Sequence, residues 1–547
     1  MRIAPFLLPC FFLACSTSHA DPADTPAPGL AELGSHHFAV TTKVPLAQDL
    51  FDQGLAWCYG FHHAEALRSF EAAAAADPGC AMARWGLAYA AGPHINNMEM
   101  SPEAAQQANT NAQRAKELAA ATTPLEQALI DAIVARYAWP APADRKALDR
   151  AYADAMRKVY AVHGAHPDVA ALFAEALMDL RPWDLWKQDG SPQPETPEIV
   201  AVLEKVLAAD HLHPQANHLY VHAVEASPSP ERAIRSAVRL TSLAPAIGHL
   251  VHMPAHIFLR VGRYEDAAAA NRRGIAADQR IVARTGRTGF YEIYRAHNYH
   301  FLAWATMFTG NAKEAIAASR ELMRELPMDV VKELAPFLEG FLGAPYHVLV
   351  RFGRWQEMLD EPVPEPWQKS RIAMRHYGRG VAFAALGRVD EAVAEQQALR
   401  AAVADVPAEW MISNNATRTV LGIAEKVLEG EIEFRRGAQD AAFAALKVAV
   451  ERHDALRYDE PWGWMMPPRH AWGALALEAG RVDEAEKVYR EDLVRHPDNG
   501  WSLHGLEECL RRRGAVAEAD AVAVRFAKAW SHGGVPIAAS CFCRRGG

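Results

Sequence analysis

The chain has 547 residues, half of them apolar and 22% charged, with a formal net charge of −9. Such a length exceeds one ordinary core unless the chain is a repeat array that grows lengthwise, and the apolar content excludes a disordered protein. The negative balance, with no Lys/Arg run longer than Arg511 to Arg513, argues against a nucleic-acid backbone or an anionic membrane surface as partner.

At the N-terminus Arg2 precedes the apolar run 3–15 and the small-residue ending Ser18-His19-Ala20. This reads as an export signal over residues 1–20, cut after Ala20, and places the mature chain in the periplasm or outside the cell. The rival reading takes Leu13-Ala14-Cys15 as a lipoprotein signal with Cys15 acylated. No later apolar run approaches the roughly 20 residues needed to span a bilayer. Outside the signal the cysteines are Cys58, Cys80, Cys509, Cys541 and Cys543, too few for a disulfide scaffold and odd in number. Cys58 and Cys80 are a candidate pair on neighbouring helices. The Cys-Phe-Cys of 541–543 reads as a frayed end, with a thiol metal ligand or redox pair as the alternative.

Residues 21–45, opening DPADTPAPG, read as a flexible leader. From 46 onward the pattern is helical. We divide it into repeats over 46–100, a degenerate stretch with a loop over 101–197, a histidine-rich set over 198–325, a C-terminal set over 326–530, and a tail over 531–547. In the degenerate stretch Thr123-Pro124-Leu125-Glu126 predicts a capping box opening a helix. The Pro/Gly-rich 181–197 is expected to be a surface loop beside the site. A turn recurs along the chain: GRYEDA (262–267), GNAKEA (310–315), GRWQEM (353–358), GRVDEA (387–392 and 480–485) and GAVAEA (514–519). FHHAEA (61–66), PSPERA (228–233) and GAQDAA (437–442) are looser copies.

With its small residues and closing prolines, this pattern resembles the tetratricopeptide repeat, a 34-residue helix–turn–helix unit. Segments such as HPQANHLYVHAVEAS, HMPAHIFLRVGRY and HNYHFLAWA are also similar to a group of uncharacterised, exported bacterial proteins of that type. The resemblance implies an all-α solenoid of about eight to ten helix pairs, with set positions of each first helix lining a concave groove.

Nine of the 24 histidines lie between His211 and His300, spaced by three or four, which stacks side chains on one helix face. Counting back from the turns puts His218, His222 and Glu225 on one first helix. His249, His252 and His256 fall on the next, and His297 and His300 on a third. The register of the resemblance turns these toward the groove, with Arg260, Trp304 and His347, and with Glu175 and Asp179 one unit earlier. His211 and His213 fall in a turn. Imidazoles beside a carboxylate suit Zn, Cu or Fe, bound as one ion or two. Glu225, Glu175 and Asp179 are candidates for a general base or for orienting imidazoles. HLYVHAVE lacks the zincin order HExxH, because its Glu follows the second His. Pro254 threatens the helix that carries His249 and His252. The expected function is a groove binding a transition metal, with catalysis open; the alternative is a metal-free scaffold for a protein, peptide or small molecule.

Overall fold

The computed structural model describes residues 32–286 and 289–544. They are helical throughout, apart from one short antiparallel hairpin of β1 (Met411–Ile412) and β2 (Asn415–Ala416). The signal over 1–20 and Cys15 lie outside the described residues. Among those described, no helix is long and apolar enough to cross a membrane.

Two compact units divide the chain: the described residues of Met1–Ile257 with Ala276–Thr288, and those of Phe258–Ile275 with Gly289–Gly547. The first unit begins with α1 (Pro45–Tyr59), α2 (His63–Ala76), α3 (Ala81–Ala90), α4 (Pro102–Leu118) and α5 (Pro124–Ala135). It continues with α6 (Lys146–His163), α7 (Pro167–Met178), α8 (Thr196–Ala209), α9 (Pro214–Val224), α10 (Ile234–Leu243) and α11 (Gly248–His252). Residues of α12 (Pro254–Arg260) and α13 (Tyr264–Thr285) fall in both units. The second unit adds α14 (Glu292–Phe308), α15 (Ala312–Glu325), α16 (Met328–Glu333), α17 (Ala335–Leu338), α18 (Ala344–Arg351) and α19 (Trp355–Asp360). After these come α20 (Lys369–Ala385), α21 (Val389–Asp405), α22 (Thr417–Arg435) and α23 (Gln439–Asp454). The last four are α24 (Pro468–Glu478), α25 (Val482–Arg495), α26 (Gly500–Arg512) and α27 (Val516–Ala529).

The turn motif is the joint of this architecture. Gly262, Gly310, Gly353, Gly387, Gly437, Gly480 and Gly514 all have φ between 61° and 83°. At each, the preceding helix ends in a left-handed residue and the next N–H reaches back to a carbonyl five residues earlier, as Arg263 N does to Phe258 O (2.7 Å). Only glycine enters that region without a steric penalty, so the repeated glycine dictates the repeated hairpin. All seven lie in the second unit, and in both units consecutive helices pack as tetratricopeptide-like pairs.

Several local expectations hold, and others change. Thr123 and Glu126 form the capping box at the start of α5. The leader is not free from residue 32 on: Phe38 is buried, its N–H donates to Asp52 (3.1 Å), and Thr41 N–H donates to Glu126 (2.6 Å). Cys58 and Cys80 are buried free thiols rather than a disulfide. The 541–543 tail is not frayed; Cys541 and Cys543 are bonded, and Cys543 is fully buried. Pro254 breaks the helix into α11 and α12 but leaves His249 and His252 helical.

Close packing of α1, α2 and α3 turns on Phe70. A Cβ at Gly54 would meet its ring at 2.5 Å and one at Gly86 at 2.4 Å. Gly54→Ala or Gly86→Ala should therefore lower unfolding free energy by about 1–3 kcal/mol, the usual cost of overpacking, as read from a denaturant midpoint.

Candidate metal centre

The first unit gathers its histidines from three helices. Helix α9 starts at Pro214 behind His213, whose Nδ1 accepts the Ala216 N–H (3.1 Å) as an N-cap. From that start His218 and His222 share a face one turn apart, and Glu225 is the C-cap. Helix α11 supplies His249 and His252, and α12 supplies His256. All six side chains are at most 5% exposed.

Hydrogen bonding fixes the proton positions on the key rings. His218 Nδ1 lies 2.6 Å from the Tyr59 carbonyl oxygen, which can only accept. His222 Nδ1 lies 3.1 Å from Glu225 Oε1, and His256 Nδ1 lies 2.8 Å from Glu225 Oε2. Each of these Nδ1 atoms therefore carries a proton and donates it, which turns the Nε2 side of each ring toward the cluster. These nitrogens converge: His222 Nε2 is 3.1 Å from His218 Nε2, which is 3.2 Å from His249 Nε2. Two nitrogens bound to one ion at about 2.05 Å, subtending about 90–110°, stand about 2.9–3.4 Å apart. His218, His222 and His249 thus hold the spacing of adjacent ligands. A carbonyl or carboxylate behind each ligating ring is the usual backing of a metal-bound histidine. His252 Nε2 lies 2.8 Å from His256 Nε2, extending the cluster.

Burial first, and the adjacent His222 ring second, hold His218 well below the usual histidine range. His249 is lowered in the same way by burial and by His218. Burial pushes Glu225 up, but the His222 and His256 imidazoles outweigh it and hold the carboxyl down at about 2. Glu225, expected as ligand or base, here has one oxygen on each of two imidazoles and stands behind them.

Two aromatic residues enclose the cluster. Phe61 takes the turn position that glycine holds elsewhere, at φ 56°, with the same backward bond from His62 N to Trp57 O (2.9 Å). Its ring stacks on His249 (5.4 Å) and His222 (6.0 Å) and tilts against His218 (4.5 Å). Trp183, in the 181–197 loop, is also left-handed, at φ 58°. Its ring meets His222 edge-on at 5.6 Å, and its Nε1 donates to Asn96 Oδ1 (2.9 Å). The loop therefore does lie beside the site. Gly60 permits the close approach, because a Cβ there would meet Ile247 Cγ2 at 2.2 Å.

Glu175 and Asp179 stand elsewhere. Glu175 accepts from Tyr89 and from Gln215 Nε2 (3.0 Å), and Asp179 pairs with Arg136 (2.7 Å). Burial raises both carboxyls, against the pull of the nearby Tyr89 hydroxyl on Glu175 and of Arg136 on Asp179. Neither joins the imidazoles. In the second unit His297 is half-buried, edge-on to Phe301 (5.6 Å). His300 packs edge-on against Phe341 (4.9 Å) and His347 against Trp464 (4.6 Å). Trp304, expected in a groove wall, is 1% exposed and stacked on Phe308 (3.8 Å), because aromatic packing between helices claims it. Arg260 lies over the Tyr458 ring (5.3 Å).

One histidine cluster escaped the sequence reading. Asp168 Oδ1 lies 2.8 Å from His36 Nε2, 3.3 Å from His213 Nε2, and accepts from Tyr59 Oη at 2.6 Å. His213 already uses Nδ1 as acceptor, so its Nε2 carries the proton toward Asp168. This cluster is closed by its own donors. Burial disfavours the Asp168 charge, but His213 and His36 outweigh it and hold the carboxyl below its usual range.

The fold defines the chain as a tetratricopeptide-like helical-repeat protein. No protein-family model and no curated protein matches it. Solved structures are similar at low identity. Yeast Tom70 is 11% identical with a TM-score of 0.31, over 88% of this chain and 97% of that one. The human IFIT1 dimer with m7Gppp-AAAA is 12% identical with a TM-score of 0.30, over 78% and 86%. The APC/C hetero-tetramer Cut9-Hcn1 is 14% identical with a TM-score of 0.29, over 85% and 76%.

In the second unit burial lowers His300 to about 4 and His347 to about 3. Both bind protons more readily when unfolded, so stability is full above pH ~6.5 and is lost as pH falls toward those values. Each should contribute up to about 1.4 kcal/mol per pH unit in that window. Denaturation midpoints between pH 7 and 4 should flatten measurably in the His300→Phe/His347→Phe variant.

Proposed function

We propose that the first unit binds a transition metal ion of the Zn, Cu or Fe class through the Nε2 atoms of His218, His222 and His249. The observation that carries this reading is the convergence of three Nε2 atoms at 3.1 and 3.2 Å, with the Nδ1 protons of His218 and His222 held by Tyr59 O and Glu225. Three neutral imidazoles leave a fourth position for water or a substrate atom, the arrangement of open rather than structural sites. In this reading Glu225 sets ring orientation and ligand basicity. Phe61 closes the apolar side, and Trp183, 36% exposed, stands at the edge that solvent reaches. We include export in the proposal, on the pattern of residues 1–20, with a lipid on Cys15 as the alternative.

Protein folded with Zn, Cu or Fe supplied separately should retain about one ion per chain with at least one of them, by elemental analysis. His218→Ala/His222→Ala should abolish retention, and Glu225→Gln should weaken affinity by about 10–100-fold. A wild type without metal under all three conditions would sink the proposal and leave the scaffold reading, in which the helix pairs bind a protein or peptide.

A further inference from the structure

We propose that Cys541 and Cys543 form a reversible dithiol–disulfide centre, served by Glu431 as its proton donor and acceptor. The centre lies in the second unit and does not depend on the metal reading.

The first observation is that the tail carrying the pair is built in. Ser540 O accepts from Arg351 (2.7 Å), and Ser540 Oγ donates to His470 O (2.8 Å). Arg435 donates to the Cys543 carbonyl, and Arg544 grips Glu508 through both Nη atoms (2.6 and 2.9 Å). These bonds hold the segment on both sides of the cysteines, so the disulfide is not needed to keep it in place. A bond between residues only two apart also closes too small a loop to constrain the unfolded chain much. A structural staple is a poor account of it.

The second observation is Glu431, on α22. It is 1% exposed, and among the described residues its Oε2 has no hydrogen-bond partner. A carboxylate oxygen of Glu431 and the two Sγ atoms all lie within 4.8 Å of one another. Burial of a carboxyl without a full set of partners is costly and points to a role at that position. Burial raises this carboxyl to about 7, against the pull of Arg435 and with Glu478 adding to the rise. Both protonation states are therefore accessible near neutral pH.

The two sulfurs differ as such a centre requires. Cys541 is half-buried, whereas Cys543 is fully buried against apolar neighbours. A thiolate of an external dithiol attacks Cys541 Sγ, forming a mixed disulfide and breaking the bond to Cys543. The departing electron pair goes to Cys543 Sγ, which an apolar setting would not tolerate as a thiolate, and Glu431 supplies the proton. The second sulfur of the external dithiol then attacks the mixed disulfide and releases Cys541 as thiolate. The external dithiol leaves as a disulfide, and the pair is left reduced. The reverse sequence passes a disulfide to a client dithiol.

The test is differential alkylation with mass detection on the full-length native chain, using dithiothreitol as the dithiol. Air-purified protein should show Cys541 and Cys543 unreactive until dithiothreitol is added, then reactive, and again unreactive after oxidised dithiothreitol. Glu431→Gln, checked for an unchanged circular dichroism spectrum and melting temperature, should slow reduction at pH 7 by about tenfold or more, the low end of general acid catalysis. Should that variant misfold, Cys541→Ser and Cys543→Ser separate the roles: with 2-hydroxyethyl disulfide, the disulfide of a monothiol, a mixed disulfide should form on Cys541 in the second and none on Cys543 in the first. Free thiols at both positions in the air-purified protein would overturn the proposal. So would an unaltered rate in folded Glu431→Gln, or protection from alkylation that a chelator lifts and a dithiol does not.

Discussion

The histidine cluster depends on what lies behind its rings. The Tyr59 carbonyl and the Glu225 carboxylate can only accept, so they fix Nδ1–H on His218 and His222 and turn Nε2 lone pairs toward each other at 3.1 Å. In a dry interior that arrangement is repulsive unless a positive charge lies among the nitrogens. A proton on His218 or His249 is a poor candidate, because burial and the neighbouring imidazoles depress those two rings. The Asp168 nest is the control inside the same unit. There His213 offers its proton to a carboxylate, and nothing further is called for.

The surrounding fold accepts local strain at this site. Seven hairpin turns described above use glycine in the left-handed region, and the first hairpin uses Phe61 with the same backward hydrogen bond. A side chain there costs roughly 1–2 kcal/mol, more for a bulky one, so the surroundings must hold it. What they gain is a ring laid across His218, His222 and His249. Trp183 repeats the pattern from a loop remote in sequence, again left-handed and again against His222. Strained aromatic residues on one imidazole cluster make an apolar wall around whatever the lone pairs hold.

Much of this was legible in the sequence because it is periodic. The turn glycines set the register, and three- and four-residue spacing then put His218 with His222, and His252 with His256, on common faces. The two units and the roles of individual side chains were not legible, since neither is periodic. Glu225 follows its histidines at helical spacing, but only its rotamer decides between binding an ion and holding two rings. Glu175 and Asp179 share a helix face as read, yet Arg136 and Gln215, each about forty residues distant in sequence, claim them. The leader hid its docking because single contacts such as His36 with Asp168, 132 residues apart, leave no pattern. Phe61 did leave one: a phenylalanine where the repeat calls for glycine. Such a departure from the local rule marks a place where something other than the turn is being served.

Donor chemistry narrows what the cluster can hold. Among the described residues the first unit contains two cysteines, Cys58 and Cys80, both buried and both without a partner sulfur. Burial raises the Cys58 thiol well above its usual range, with Glu175 adding to the effect, and raises Cys80 as well. A thiol that resists ionisation is a poor ligand, since the thiolate is the binding form. Neither belongs to a group of convergent donors among the described residues. The donors at the cluster are therefore nitrogen, backed by oxygen. That set favours borderline divalent ions such as Zn, Cu(II) and Fe(II) over the soft ions that thiolates select. The unit's sulfur is sequestered by its own burial, and the second unit's paired sulfur lies in a separate compact body. Metal chemistry and thiol chemistry can then each be altered by substitution without touching the other's ligands.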